Sequence, residues 1–300
     1  MYRKILVGYD DSDQAKDALA LGGQIADATG AELTLVGVSQ FDPVWQDWDP
    51  HFRDADAEFG DQLRAAAESA GAGVEHVPSS SPARGLHDLA EKLQADLVVV
   101  GSSHQGRAGQ ILAGSTGMAL LHGAPCAVGI APDGYRERVR EGITGVTLGF
   151  DGSEEAGHAL MAASRLAADA KAPLRLVSVA VPPPRTVGKS GLTGWHALLE
   201  TIEEQARGRL SEARQAVPDG VEVDATLISG DPVEALVSAA DRPGTVMVIG
   251  SRGYGPLRRV LLGSVSTPLV RSAPCPVIVT PRGVHERSPA EPAPAVGTAS

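Results

Sequence analysis

Aromatic residues and cysteine are scarce in this chain of 300 residues. Phe, Trp and Tyr make up only 4% of the sequence, so any core must be built mainly from aliphatic side chains. The two cysteines, Cys126 and Cys275, belong to no CxxC motif and to no Cys/His cluster with metal-ligand spacing. This argues against a disulfide scaffold and a zinc site, and it predicts a reducing, cytoplasmic location.

Long hydrophobic runs and an excess of positive charge are also missing. No stretch reaches the length of a transmembrane helix, and the apolar run after Arg3 and Lys4 is too short for a signal peptide, so we expect no membrane partner. The net charge of −11 argues against a nucleic-acid partner, although a locally positive loop can still bind a nucleotide. Pro, Ala, Glu and Ser dominate the end of the chain, which predicts a disordered tail over 283–300.

The sequence contains one internal repeat. KILVGY followed by DDS at 10–12 matches GVTLGF followed by DGS at 151–153, and DLVVVG at 96–101 matches TVMVIG at 245–250. Each half alternates short β-branched apolar runs with helical patterns, and Asp13 to Thr29 is predicted as the first helix. This order predicts an α/β fold of two tandem, doubly wound, five-stranded parallel-sheet domains, each an α/β/α sandwich. We place the domains at 1–133 and 143–282, joined by a polar linker at 134–142.

In each half a glycine array follows the fourth of the five strand patterns. In the second half, Gly250 and Gly253 are followed after nine residues by Gly263 and Ser264, and in the first half Gly101 precedes Gly114 at the matching distance. Glycine lets backbone N–H groups approach a ligand, and an N–H-lined turn before a helix favours an anion. The array therefore indicates a phosphate site, with simple turn chemistry as the alternative for a single glycine pair. It is neither a Walker A loop nor a GxGxxG turn.

These motifs resemble the tandem form of the universal stress protein family, over about residues 3–131 and 143–281. The resemblance is carried by Asp-Gly-Ser after the first strand, by the glycine array, and by APCPVIV from Ala273. It implies an adenine nucleotide alpha hydrolase-like fold and, in the family's nucleotide-binding branch, ATP as the ligand, with or without Mg²⁺. In that pattern an Asp approaches the ribose, a Val lies beside the adenine, and the glycine loop with the Gly-Ser helix start holds the phosphates.

The resemblance assigns nucleotide-binding residues in both halves. In the second half they are Asp151, Val179, Gly250, Gly253, Gly263, Ser264 and Val265; in the first half they are Asp10, Val38, Gly101, Gly114, Ser115 and Thr116.

Two positions depart from a regular repeat. His104 stands where the second half has Gly253, and its side chain either blocks close backbone approach, donates a proton to a phosphate, or is merely solvated. Pro268 suits the first turn of a helix, which predicts Thr267 as the cap and residues 263–266 as a looser turn. His104 leaves open whether the first half binds a nucleotide, and Pro268 indicates that the two anion sites are not identical.

Three functions remain open from the sequence. The first is an ATP-binding stress-response regulator whose bound nucleotide changes its partner contacts; the others are a slow ATP hydrolase or phosphotransferase, and an interaction protein with vestigial sites. No Gly-x-Ser-x-Gly elbow or HExxH motif is present, so no catalytic residue and no metal site are predicted. The residues do not separate ATP from AMP or cyclic AMP. The last strand of each half is apolar, so we expect the halves to pair about a pseudo-two-fold, and we also consider a homodimer.

Overall fold

A computed structural model describes residues 2–40, 50–102, 114–138, 141–182, 191–251 and 263–281, with the backbone alone at 40, 50–53 and 191–194. The described strands are Lys4–Gly8 (β1), Glu32–Gln40 (β2), Gly73–Ser79 (β3), Leu97–Gly101 (β4), Ala127–Ala131 (β5), Gly145–Gly149 (β6), Leu174–Ala180 (β7), Val223–Ser229 (β8), Thr245–Gly250 (β9) and Val277–Thr280 (β10). The described helices are Asp13–Thr29 (α1), Pro50–Ser69 (α2), Pro82–Leu93 (α3), Ser115–Leu120 (α4), Tyr135–Arg138 (α5), Glu154–Ala170 (α6), Gly191–Gln215 (α7), Pro232–Ala240 (α8) and Ser266–Ser272 (α9).

The strands form one sheet in the order β3-β2-β1-β4-β5-β10-β9-β6-β7-β8. Within each half all neighbouring strands are parallel, as the sequence predicts for a doubly wound α/β fold. Only β5 and β10, the last strand of each half, run antiparallel to each other. The two five-stranded halves are therefore joined edge to edge into one continuous sheet.

The register of the central strand pair relates the two halves by a pseudo-two-fold. Gly129 of β5 lies opposite Ile278 of β10, and these residues are themselves counterparts at the repeat offset of 149. A residue paired with its own counterpart lies on the symmetry axis of an isologous contact. The repeat in the sequence is thus also a rotational repeat in the fold.

Aliphatic side chains cover both faces of the sheet. On one face Ile5 and Val7 of the first half belong to the same buried cluster as Val146 and Val248 of the second. On the other face Val128 lies in a cluster that also takes in residues of β9 and β10. Because both cores cross the central strand pair, the halves share hydrophobic burial as well as hydrogen bonds.

Helix α1 spans the residues that the apolar pattern predicts. Ser12 caps its start by accepting a hydrogen bond from the Ala15 amide, and Gly30, with φ of 69°, ends it in the left-handed region. Gly22 is required by close packing, because a Cβ there would stand 2.6 Å from Cγ2 of Val7 in β1. The helix therefore lies directly on the sheet, with its first turn at the carboxyl end of β1.

The segment between the halves has a polar composition, yet part of it is buried in the core. It contains α5, in which Tyr135 is only 2% exposed and belongs to the shared core. The domain and linker boundaries stay predictions. No described helix is both long and apolar enough to cross a membrane.

Candidate functional site

A cavity of about 360 Å³ opens at the carboxyl ends of β1, β2 and β4, beside the start of α4. Its volume falls within the range of small-molecule sites, and its position is where ligands bind in open α/β sheets. The six residues assigned to the first half by the sequence all line this cavity: Asp10, Val38, Gly101, Gly114, Ser115 and Thr116. The remaining lining residues are Gly8, Tyr9, Ser12, Gln14, Ala15, Val36, Pro82, Leu86, Val100, Ser102 and Gly117.

The Asp10 carboxylate is oriented by the turn that starts α1. Its Oδ1 accepts hydrogen bonds from the Ser12 amide at 3.2 Å and from the Ser12 hydroxyl at 2.5 Å. The same hydroxyl accepts from the Ala15 amide at 3.1 Å, so the Ser12 proton is committed to Asp10. This chain of bonds holds one carboxylate oxygen of Asp10, a residue of the cavity lining, in a fixed position.

Asp11 serves the turn rather than the cavity. Its carboxylate accepts from the Tyr9 hydroxyl at 3.1 Å and contacts the Lys16 ammonium at 3.1 Å. The hydrogen bonds from Lys16 and Tyr9 lower the pKa of Asp11. Burial, together with the bond to Asp11, raises the pKa of Tyr9 to about 12. The tyrosine hydroxyl therefore stays protonated near neutrality and keeps donating to Asp11.

The start of α4 offers backbone amides to the cavity. The first helical hydrogen bond runs from the Met118 amide to the Gly114 carbonyl, at 2.9 Å. The amides of Ser115, Thr116 and Gly117 come before that bond, so none of them has a partner within the helix. The N-cap residue of this helix is Gly114, which has no side chain to accept from these amides. The arrangement suits an anion that approaches along Gly114.

Two buried polar atoms of the cavity lining have no hydrogen-bond partner in the described part of the chain. They are the Ser102 hydroxyl and the Gln14 side-chain carbonyl, on residues that are 5% and 8% exposed. The Gln14 amide nitrogen donates to Asp133 at 3.1 Å, which fixes Oε1 as the unpaired atom. A buried unpaired polar atom costs free energy unless a ligand or water satisfies it. Sequence reasoning missed both residues, although Ser102 and Ser251 follow Gly101 and Gly250 in both halves of the repeat.

The second half repeats the aspartate turn with a different neighbour. Asp151 Oδ1 accepts from the Ser153 amide at 2.9 Å and from its hydroxyl at 2.6 Å. Gly152, with φ of 82°, replaces Asp11, and a Cβ there would stand 2.4 Å from Cδ of Arg209. The aliphatic part of Arg209, from α7, therefore lies over this turn and brings a cation to it.

The second glycine turn differs from the first in its hydrogen bonds. The Gly263 amide donates to the Ser266 hydroxyl at 2.6 Å, so this amide is used within the turn. Ser266 is the counterpart of Gly117, which has no side chain to do the same. Helix α9 begins at Ser266, so the prediction that Thr267 caps it is wrong. The physical reason is that the Ser266 hydroxyl closes the turn, so the helix begins two residues earlier than predicted. Pro268 is then the third helical residue, where its missing N–H is tolerated.

The other second-half positions lie at the matching ends of their elements. Gly250 closes β9, where a Cβ would stand 2.8 Å from the Glu155 carbonyl oxygen, and Val179 lies next to the last residue of β7. Ser264 and Val265 form the turn before α9. Gly253 and His104 lie outside the described residues, so their proposed roles stay predictions.

A Ser–His–Asp cluster lies between β2, β3 and α2. His76 Nε2 is 2.5 Å from the Ser39 hydroxyl and 3.2 Å from Asp56 Oδ1, and Ser39 also donates to Asp56. A catalytic relay needs the carboxylate on the other imidazole nitrogen. Because serine and aspartate share one nitrogen, this cluster joins α2 to the sheet edge and is not arranged as a nucleophile with its base. Among the described residues, no three His, Cys, Asp or Glu side chains gather as a metal site would require.

Comparisons with known proteins agree with the architecture. A sequence model of the universal stress protein family matches residues 1–132 and 144–281. A universal stress protein of Mycolicibacterium smegmatis is 30% identical over 294 residues, covering 92% of this chain and 96% of its own. One from Mycobacterium tuberculosis is 28% identical over 294 residues, covering 92% and 99%. The crystal structure of a universal stress protein from Archaeoglobus fulgidus has a TM-score of 0.66 at 21% identity, covering 93% of this chain and 98% of that one.

Proposed function

The chain belongs to the universal stress protein family, and we propose that it binds ATP in the cavity of its first half and at the equivalent place in its second half. The observation that carries the proposal is the convergence of a carboxylate, an apolar wall and a row of helix-start amides on one cavity. These groups come from β1, β2, β4 and α4, and they match the three chemical parts of a nucleotide.

Each part of the nucleotide has a matching group in the first half. Asp10 has one carboxylate oxygen bonded to Ser12, which leaves Oδ2 to accept from a ribose hydroxyl. Val38 offers an apolar surface for the base, and its other side is closed by Gly85, where a Cβ would stand only 2.8 Å from Cγ1 of Val38. The amides of Ser115 and Thr116 then donate to phosphate oxygens.

The buried unpaired atoms support a polar ligand in this cavity. The Ser102 hydroxyl is a donor that a phosphate or ribose oxygen would satisfy, and the Gln14 carbonyl is an acceptor that a ligand hydroxyl or a bound water would satisfy. An apolar ligand would leave both unpaired. The proposed Mg²⁺ would be held chiefly by the phosphates, because the cavity supplies one carboxylate, Asp10.

In the second half we propose the same pose, with the amides at the matching positions as donors. The Gly263 amide is used by Ser266, so Ser264 and Val265 would supply the backbone donors. Asp151 is held as Asp10 is, and Arg209 adds a cation beside its turn. We infer that the two sites differ in affinity and that the protein acts as a nucleotide-dependent regulator of the stress response, with partner contacts that follow the bound state.

The direct experiment is to purify the full chain without added nucleotide, denature it with heat, and separate the supernatant by ion-exchange chromatography. Recovery of an adenine nucleotide supports the proposal, and its retention time separates ATP from AMP and cyclic AMP. If none is recovered and none binds in a later titration, the sites are vestigial and the proposal fails.

A second assay separates binding from hydrolysis. Steady-state phosphate release by the wild type is compared with a Gly114→Val variant, whose side chain would occupy the phosphate end of the cavity. We expect the wild type and the variant to release phosphate at similar rates. Release that is many times faster in the wild type would identify a slow hydrolase instead of a binding regulator.

A further inference from the structure

Gln14 connects the first-half cavity to the segment that follows β5. Its side-chain nitrogen donates to Oδ1 of Asp133 at 3.1 Å, between residues that are 119 positions apart in the chain. Its side-chain oxygen, Oε1, is buried and has no hydrogen-bond partner among the described residues. Gln14 is 8% exposed and lines the cavity. Asp133 therefore uses the donating end of this amide and leaves the accepting end for another group.

The turn that carries Asp133 is itself held in place. Arg138 donates to the carbonyl oxygen of Asp133 at 2.7 Å. The amides of Gly134 and Arg136 donate to the two carboxylate oxygens of Asp17 in α1, at 2.7 and 2.9 Å. Asp17 is 2% exposed, so water competes little for these bonds. The turn thus fixes the Asp133 carboxylate relative to α1, and that carboxylate fixes the glutamine amide.

The second half has an acceptor residue at the same place. At the spacing of 141 residues that relates the two aspartate turns, Gln14 corresponds to Glu155. A Cβ on Gly101 would stand 2.7 Å from Cβ of Gln14, and a Cβ on Gly250 would stand 3.2 Å from Cβ of Glu155. A carboxylate accepts hydrogen bonds and does not donate them. Gln14 offers the same polarity only while Asp133 orients its amide.

The chemistry of Oε1 restricts the ligand group that Gln14 can bind. Phosphate oxygens are acceptors, so they suit the amides at the start of α4 but not this oxygen. The strand order also separates Gln14 from the proposed position of the base. Val38 lies in β2, on one side of β1, whereas Gln14 contacts the end of β4, on the other side. The matching donor is therefore an O–H group, and not the amine of the adenine.

We propose that Gln14 is a ligand contact of the first site, at which Oε1 accepts a hydrogen bond from an O–H group, and that Asp133 is its positioning residue. The O–H group belongs either to the ribose or to a water that accompanies the phosphates. Asp133 acts through Gln14, by keeping the oxygen and not the nitrogen of the amide available. The inference rests on the proposed nucleotide binding, and it extends the first site to the segment between the two halves.

Calorimetric titration with ATP tests the contact. Every protein carries Asp151→Ala, so that only the first site retains its aspartate, and this single variant is the parent. Gln14→Leu has a similar size and lacks both hydrogen-bonding ends, so we expect the Kd for ATP to rise about fivefold. An unchanged Kd would overturn the proposal. A flat trace for the folded parent would instead refute binding at the first site itself, so the two failures are distinguishable.

Variants of Asp133 test the positioning role. Asp133→Leu frees the glutamine amide to adopt both orientations, so we expect the Kd to rise about threefold. Asp133→Asn removes the same charge but still offers a carbonyl oxygen to the amide nitrogen, and it should bind ATP as the parent does. Asp133→Leu should add nothing in the Gln14→Leu background, because Asp133 acts through Gln14. Additive losses, or equal losses in the leucine and asparagine variants, would contradict this role.

A matched control comes from the same segment. The Arg136 guanidinium donates to the Asp13 carboxylate at 2.7 Å, on the first turn of α1. Arg136→Ala removes this contact and leaves Gln14 and Asp133 in place, so the Kd should equal that of the parent. A loss as large as that of Asp133→Leu would show that affinity follows the docking of the segment and not the orientation of the amide.

Deoxynucleotides identify the source of the O–H group. The 2′-deoxy and 3′-deoxy forms of ATP are titrated into the parent and into Gln14→Leu. If Gln14 binds a ribose hydroxyl, one analogue should bind the parent about fivefold more weakly than ATP, and this difference should shrink in Gln14→Leu. If each analogue loses the same factor in both proteins, while Gln14→Leu still weakens ATP binding, the donor is a water.

Discussion

Gly101 lies directly against the backbone carbonyl of Gln14: a Cβ on Gly101 would stand 2.2 Å from that oxygen. The end of β4 and the first turn of α1 are therefore in direct contact where both line the cavity. The counterparts Gly250 and Glu155 make the same contact in the second half, at 2.8 Å. These glycines are needed for backbone packing, whatever they also contribute to a ligand.

Substitution of Gly101 should lower the free energy of unfolding. Gly101→Ala places a methyl group inside the distance of backbone atoms, so we expect a loss of about 2 kcal/mol of unfolding free energy. The matched control is Gly129→Ala, on the neighbouring strand, where the nearest side-chain atom is 3.5 Å from the new Cβ. Urea unfolding of both variants measures the difference, and equal stabilities would contradict the contact.

Removal of the Asp10 carboxylate should weaken nucleotide binding. Asp10→Ala deletes the proposed acceptor of the ribose hydroxyl, so we expect the Kd for ATP at the first site to rise about tenfold. Asp11→Gly is the matched control, because it introduces the residue found at 152 and relieves a φ of 61°. Calorimetric titration should find its affinity close to that of the wild type. If both variants bind alike, Asp10 is not a ligand contact.

The buried thiols should make stability fall at alkaline pH. Burial raises the pKa of Cys126 and of Cys275 to about 12, against about 8.5 in an unfolded chain. Between these values the unfolded state has lost thiol protons that the folded state keeps, so rising pH favours unfolding. In this pH window each thiol should lower the free energy of unfolding by about 1.4 kcal/mol per pH unit.

Urea unfolding at pH 8 and pH 10 tests this pH dependence. The variant with both cysteines replaced by alanine should lose less stability between these two pH values than the wild type does. A parallel fall in both proteins would show that the thiols do not contribute.

Ser39 and His76 should be replaceable together with less loss of stability than when Ser39 is replaced alone. The register aligns Ser39 with Ala180 and His76 with Leu227, so the second half has an apolar version of the same place. Ser39→Ala alone removes the hydroxyl that contacts both His76 and Asp56. It should lower the free energy of unfolding by about 1 kcal/mol. The double change Ser39→Ala with His76→Leu should cost less than the single one. Thermal unfolding measures both, and additive losses would contradict the prediction.

Much of the fold follows from local patterns in the sequence. The apolar spacing, the Ser12 cap and Gly30 define α1 because each acts within a few residues. The first-half site residues gather at one cavity because parallel strands place their carboxyl ends together. This consequence of topology needs no knowledge of side-chain packing.

Other features depend on tertiary contacts that no local pattern specifies. The burial of Asp17 under α5 requires two segments more than a hundred residues apart to meet. The Ser266 bond that closes the second glycine turn depends on a helix start shifted from that of α4. Gln14 has its amide oriented by Asp133, which is 119 residues further along the chain, and no local pattern suggests that contact.

The most direct test of the account is a calorimetric titration of the nucleotide-free full chain with ATP. We predict saturable heat, with affinity lowered at least about tenfold in the double variant Asp10→Ala, Asp151→Ala. Circular dichroism establishes that both proteins are folded before the titration. A flat trace for folded wild-type protein at millimolar ATP would contradict the proposed nucleotide site.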